Sequence, residues 1–317
     1  MDHGHNKRIT GGELSERLEA CILAGAIGDA WGSSMENESP TDTRTSHPWG
    51  EPKKEEPLWA ITDDTQLTLA TCEALDDPLG FSPEVLSAHF VDYFKRGKIT
   101  GAGGSTLKAL VELEAGIHWS QAGRAGEYAA GNGAAMRIAP LAFFGTIDRE
   151  IIMSVCRITH RNDEAYVGAL AVVTSIRLFI SGEWDGGPDL LKLVIPLLPD
   201  SRVRDRLLEI ETRATPLSIE AVSGLGTKGY VVHSVPFALF AASCVKEIGI
   251  GAMYERIIAA GGDTDTNASI AGHVAGVVVG LNGLPAGLRE RLASVRGYEE
   301  LRTALQHGKH ALGRMSA

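Results

Sequence analysis

Cysteine is scarce in this sequence. The four present, Cys21, Cys72, Cys156 and Cys244, stand far apart in apolar segments. Zinc ligands come at close spacing and disulfide frameworks in small loop-rich chains, so neither fits, and the four read as reduced core residues. Basic charge is short as well: 30 Lys and Arg stand against 40 Asp and Glu, a formal net charge of −10. A surface of that sign disfavours nonspecific contact with nucleic-acid phosphates, so no nucleic-acid partner is expected. No segment shows a convincing strand pattern, and there is no repeat, no low-complexity block and no P-loop. Gly224–Gly229 fits G-x-G-x-x-G, but no apolar strand precedes it and no β-α-β alternation surrounds it, which argues against a dinucleotide fold. The N-terminus carries His3, His5, Lys7 and Arg8 without the apolar core of a signal peptide. The apolar run after Asn267 is too short for a bilayer and contains His273. A cytoplasmic, monomeric protein without a membrane partner is expected.

What the sequence does have is glycine, 37 residues in 317, concentrated beside acids and hydroxyls. Such placement suggests backbone packed close to ligands. Hydrophobic content of 44% supports a large core. The stretch Gly261-Gly262-Asp263-Thr264-Asp265-Thr266 organises the rest. It opens an apolar helix in which Ile270, Val274, Val277, Val278 and Leu281 recur at helical spacing. Ala268, Gly272, Gly276 and Gly280 form a second stripe, four apart, with almost no side chain. A short acid in the first turn of a helix is an ordinary cap. Two acids and a Thr within four residues exceed what a cap needs, and hard oxygen ligands at that density suit a divalent cation.

Earlier in the chain a helix carrying Leu14, Leu18, Ile22 and Gly25 runs into Gly25-Ala26-Ile27-Gly28-Asp29-Ala30-Trp31-Gly32, read as a tight turn in which Asp29 is as suited to anchoring as to chemistry. Residues 37–60 read as a polar surface loop tied to the body by Trp59, with Glu36 just before it. Ile61-Thr62-Asp63-Asp64-Thr65 is a second hydroxyl-acid-acid cluster opening an apolar helix. One such cluster is usually a cap; two point to a shared metal site. Gly131-Asn132-Gly133 is read as preceding a helix with Ile138, Leu141 and Phe144, where free N–H groups suit a diphosphate; alone it equally fits a plain turn. Thr159-His160 precedes a helix with Ala165, Ala169, Val172 and Ile176. After Leu281 come a helix from Ala286 and a polar final segment. The expectation is a loose tail over 1–9 and one all-α catalytic domain over 10–310.

With these pieces placed, the chain resembles the ADP-ribosylglycohydrolase family. The segments GAIGDAWG, ITDDT, GNGAAMRIAPL, the Thr-His pair and GGDTDTNASIAGHVAG occur in that family's order. The resemblance implies a compact helical bundle with a central cleft for two Mg²⁺ ions, sometimes Mn²⁺, and removal of ADP-ribose from a modified protein side chain. It puts metal ligands at Thr62, Asp63, Asp64, Asp263, Asp265 and Thr266, and substrate contacts at Gly103, Gly131, Asn132, Gly133 and His160. Members resembling the nitrogenase-regulating enzymes carry an acid in the 98–106 loop, where this chain has Lys98, Ile99, Thr100, Gly101, Ala102 and Gly103. Glu36, seven residues after the Gly-Asp pair, matches a functional Glu of the ADP-ribosylserine hydrolases. Glu36, Asp64 and Asp263 are therefore the expected catalytic acids. The partners implied are ADP-ribose and an ADP-ribosylated protein, Arg- or Ser-linked. Two alternatives stand beside this: a hydrolase of a free small ADP-ribosyl compound, and a member that binds ADP-ribose or plays a structural role without catalysis.

Overall fold

A computed structural model of the chain describes residues 11–35, 58–213 and 218–315. Among these, fifteen α-helices follow one another: α1 (Gly11–Ser33), α2 (Asp63–Leu75), α3 (Pro83–Lys95), α4 (Gly104–Glu114), α5 (Arg149–Arg157), α6 (Asp163–Ser181), α7 (Leu190–Val194), α8 (Arg202–Glu211), α9 (Ile219–Ser223), α10 (Val231–Ser243), α11 (Val245–Ile248), α12 (Ile250–Ala260), α13 (Thr264–Gly283), α14 (Ala286–Ala293) and α15 (Tyr298–Met315). Local chemistry sets many of their starts. Ser82, Asp148, Asn162 and Ser201 each accept a hydrogen bond from a backbone N–H in the first turn they precede, satisfying donors that the helix cannot. α6 stops at Gly182, whose φ of 78° no β-carbon residue adopts cheaply.

The helical class agrees with the sequence, with three differences of detail. Two strands of two residues each exist, β1 (Arg124–Ala125) and β2 (His160–Arg161), paired in parallel. They are too short for any alternating pattern to register. The glycine-rich segment Gly25–Gly32 is not a turn: α1 continues straight through it to Ser33. The polar final segment is an 18-residue amphipathic helix, α15, which lays Leu301, Ala304, Leu305 and Leu312 against the core.

The glycines are explained by the partner of α1. Nearly the whole inner length of α1 lies against α13 at backbone distance. A β-carbon on Gly28 would sit 2.2 Å from the carbonyl oxygen of Ala268, and one on Gly25 only 2.1 Å from the His273 ring. From the other side, β-carbons on Gly272 and Gly276 would each lie 2.5 Å from the carbonyl oxygens of Ala24 and Ala20. The two helices therefore approach as closely as glycine alone permits. His273, sealed between them, contacts the Cys21 carbonyl at 3.1 Å, and burial holds its protonation down at about 4. Helices α2, α6, α10, α12 and α15 surround this pair. By length and composition α6 would suffice to cross a membrane, but most of it is buried in the core against α5, α8 and α10. Trp59 stacks on Trp31 at 5.8 Å between ring centroids, and Arg291 covers its ring; the rest of the expected 37–60 loop, up to residue 57, and the expected 1–9 tail lie outside the described residues.

Candidate active site

The close α1–α13 contact places the first turn of α13 beside the first turn of α2. Thr264 at the start of α13 donates to the Gly32 carbonyl near the end of α1, at 2.9 Å. Asp29, one turn earlier on α1, faces α2. It accepts from Thr62 N at 2.9 Å, Thr62 Oγ1 at 2.8 Å, Thr65 N at 3.1 Å and the Thr65 hydroxyl. Asp29 is therefore an anchor, spent on holding the start of α2, and its complete burial raises its pKa in spite of these four donors.

Between the two helix starts lies a cleft of about 600 Å³. Every expected site residue among those described lines it: Thr62, Asp63, Asp64, Asp263, Asp265 and Thr266 on one side, Gly103, Gly131, Asn132, Gly133 and His160 on the other. Glu36 lies outside the described residues. The two clusters meet directly, Thr266 Oγ1 donating to Asp64 Oδ2 at 3.2 Å. Thr62 does act as a helix cap, its hydroxyl accepting from Asp64 N at 3.3 Å. Asp263 does not: it occupies the cap position of α13 without a side-chain cap bond, and its Oδ2 instead accepts from Asn132 Nδ2 at 2.8 Å. Two glycines make this turn possible. Gly262 has a φ of 87°, and a β-carbon there would lie 2.3 Å from Thr227 Oγ1.

The electrostatics are those of crowded carboxylates. Asp63 is pushed up to about 7, first by burial and then by the Asp29 and Asp263 charges. Asp64 is also raised well above its ordinary value, by burial and by Asp265, Asp29, Asp63 and Asp263. Its Oδ1 is buried without a hydrogen-bond donor among the described residues. Such an oxygen is costly unless a donor or a cation meets it. This oxygen-rich set fits a hard divalent cation. Among the described residues no three His, Cys, Asp or Glu side chains converge closely enough to hold an ion by themselves, so a cation here would also draw on the Thr62 and Thr266 hydroxyls and on water.

The opposite wall departs from expectation in one respect. No α-helix follows Gly131-Asn132-Gly133; the chain makes successive turns and then a short 3₁₀ helix, Ala139–Phe143. Pro140 has no N–H to donate to a continuing helix. The loop is fixed instead by Asn132 N donating to the Gly229 carbonyl and by the Gly131–Tyr230 bridge. Its Asn132 also carries the bond to Asp263, so this loop and the acids are one network rather than two. The 98–103 loop is clamped by Gln66, which donates to Thr100 Oγ1 at 2.9 Å and accepts from Thr100 N at 2.7 Å.

Sequence reasoning passed over Lys228 and Gly229. They belong to the G-x-G-x-x-G segment rejected as a dinucleotide motif, yet both line the cleft. Thr227 beside them accepts from Asp263 N and Asn267 Nδ2 through its carbonyl. The excess of glycine there, without a strand before it, was the available signal. Arg137, behind His160, gave none.

A family model described as ADP-ribosylglycohydrolase matches residues 10–313. The chain is 25% identical to the human ADP-ribosylhydrolase ARH3, over 90% of each chain. It is also 25% identical to the ADP-ribosylarginine hydrolase Tri1 of Pseudomonas putida, over 90% of this chain and 76% of that one. A solved structure titled "ADP-ribosylglycohydrolase-related protein complex" superposes on 96% of this chain with a TM-score of 0.70 at 24% identity, and is alike in fold.

Proposed function

The chain belongs to the ADP-ribosylglycohydrolase family, and from that premise we propose that it is a divalent-ion-dependent hydrolase releasing ADP-ribose from an Arg- or Ser-linked mono-ADP-ribosylated protein. The observation that carries this reading is the buried, donorless Oδ1 of Asp64 amid Asp63, Asp263 and Asp265. A scaffold gains nothing from three buried carboxylates, Asp63, Asp64 and Asp265, with half-buried Asp263 beside them, whereas a cation site draws on such a set. Thr62, Asp63, Asp64, Asp263, Asp265 and Thr266 would hold the ion or ions, Mg²⁺ or Mn²⁺. When bound, such ions supply positive charge for the ribose hydroxyls and for orienting the attacking water.

The remaining work falls to the chain. In the proposed reaction the water oxygen bonds to the anomeric carbon as the bond to the leaving atom breaks. A carboxylate takes the water proton and the leaving atom gains one. Asp64, Asp263 and Glu36 are the carboxylates proposed for this. Asn132 orients Asp263. On the far wall, Lys228 is the only Lys or Arg among the described lining residues, and together with the Gly131–Gly133 backbone it suits the diphosphate. The test is release of ADP-ribose from matched Arg-linked and Ser-linked peptides, with Mg²⁺ and with chelator. Release from one of them that stops in chelator is expected. Release from neither, or undiminished release in excess chelator, would sink the reading.

A further inference from the structure

His160 is usually taken, when it lines a cleft, as a candidate acid or base. Its surroundings here assign it another task. The ring stands against the glycine loop: a β-carbon on Gly131 would lie 3.1 Å from Nε2, and one on Gly133 2.8 Å from Cε1. Behind the ring, Nδ1 lies 2.8 Å from Thr159 Oγ1. That hydroxyl in turn lies 2.8 Å from Arg137 Nη2. Arg137 is 1% exposed and Thr159 0%.

The direction of this chain follows from counting donors. A guanidinium only donates, so Thr159 Oγ1 accepts from Arg137. The hydroxyl proton of Thr159 must then find an acceptor of its own. Among the described residues the partner within reach is the His160 Nδ1 lone pair. If Nδ1 carried a proton and donated to Thr159 instead, a hydroxyl proton would be sealed in the core with nothing to accept it, which buried polar groups avoid. We propose that Arg137 and Thr159 are positioning residues that lock His160 as the neutral Nε2–H tautomer, a fixed hydrogen-bond donor to an oxygen of the ADP-ribosyl ligand rather than a carrier of protons. The identity of that acceptor rests on the proposed function; the lock itself is a property of the ligand-free chain. Burial, with the Arg137 and Arg124 charges, agrees: it holds His160 protonation down at about 3. Arg137 is itself secured by the Val155 carbonyl at 3.3 Å and by the Phe90 ring, 5.0 Å from its guanidinium carbon.

The experiment is two-bond ¹H–¹⁵N correlation on the ¹⁵N-histidine-labelled full chain, with the His160 signals assigned by their loss in His160→Asn. The expected pattern is a protonated Nε2 and a bare Nδ1, unchanged from about pH 8 to about pH 5. Thr159→Val should release the lock, mixing the tautomers and raising the ADP-ribose Kd by about tenfold in calorimetry. Thr159→Ser, which keeps the hydroxyl, should preserve both. A protonated Nδ1 or an imidazolium in the wild-type chain at neutral pH overturns the lock, and that reading does not depend on any variant folding. Wild-type affinity in a folded Thr159→Val whose tautomer has changed overturns the donor role. Wild-type protein with the expected spectrum but no affinity for ADP-ribose would overturn the functional reading of the cleft, and the donor role with it, leaving the lock standing.

Discussion

Replacing Asp64 by Asn should stabilise the ion-free protein and destabilise it, relatively, once a divalent ion is present. The side chain keeps its shape, and its amide oxygen can still accept from Thr266 Oγ1, which meets Asp64 Oδ2 at 3.2 Å. The amide NH₂ then occupies the place of the donorless Oδ1 and offers protons to the surrounding acids. Relieving one buried unsatisfied atom is worth about 2 kcal/mol. Over 317 residues, an unfolding entropy of about 2.1 cal/mol/K per residue turns this into a rise of about 3 °C in Tm. The gain should depend on pH. Carboxyls whose folded pKa is raised contribute stability that is full below their ordinary value of about 4 and is lost as pH rises through the folded one; for Asp63 that is about 7. In chelator, the advantage of Asp64→Asn should therefore be greater at about pH 8.5 than at about pH 6. Adding Mg²⁺ at about a hundred times its Kd should stabilise the wild-type chain by about 2.7 kcal/mol and the variant by much less. Calorimetric melts at two pH values, with and without Mg²⁺, decide it. A variant that melts lower than wild type in chelator and gains the same from Mg²⁺ would show that Asp64 belongs to a structural network and not to a cation site.

Three further outcomes are expected. Gly28→Ala should cost about 3 kcal/mol, because its methyl meets the Ala268 carbonyl carbon and oxygen at 2.4 and 2.2 Å and neither helix can yield; urea titration measures it, and a loss below 1 kcal/mol would mean the helices part easily. Asn132→Ala should weaken ADP-ribose and Mg²⁺ together, because Asn132 also holds Asp263; calorimetry showing loss of ADP-ribose affinity alone would separate the loop from the acids. Glu36→Gln should lower kcat by about 100-fold with ADP-ribose affinity kept within a few-fold, and near-normal turnover would remove Glu36 from the reaction.

Much of the site could be read because its residues announce themselves twice. Acid–hydroxyl clusters are unusual in themselves, and each precedes an apolar helix that needs a start. Helical spacing likewise made the all-α class plain. What could not be read was the use of glycine. In Gly25–Gly32 the same composition that suggests a turn serves a helix whose neighbour comes too close for side chains, and only the neighbour distinguishes the two. Arg137 and Lys228 were hidden for a related reason. Nothing beside Arg137 in sequence hints at its partners, and a buried arginine is recognisable only when the aromatic ring and hydroxyl around it are seen. The turn after Gly133 was misread because apolar residues at Ile138, Leu141 and Phe144 fit helical spacing, while Pro140 withheld the hydrogen bond that would have continued it.

The pairing of α1 with α13 also fixes when the cleft can exist. The bond from Thr264 to the Gly32 carbonyl joins positions 232 residues apart, and that from Tyr254 to Ala24 spans 230. Asp64 and Thr266 meet across 202. During synthesis the first helix emerges long before its partner, with a glycine-lined face that nothing yet covers. Contacts of such separation form late, after the loop-closure entropy of most of the chain has been overcome. The cleft is thus completed late, and its two groups of carboxylates stay apart until the docking of α13 on α1 brings them together.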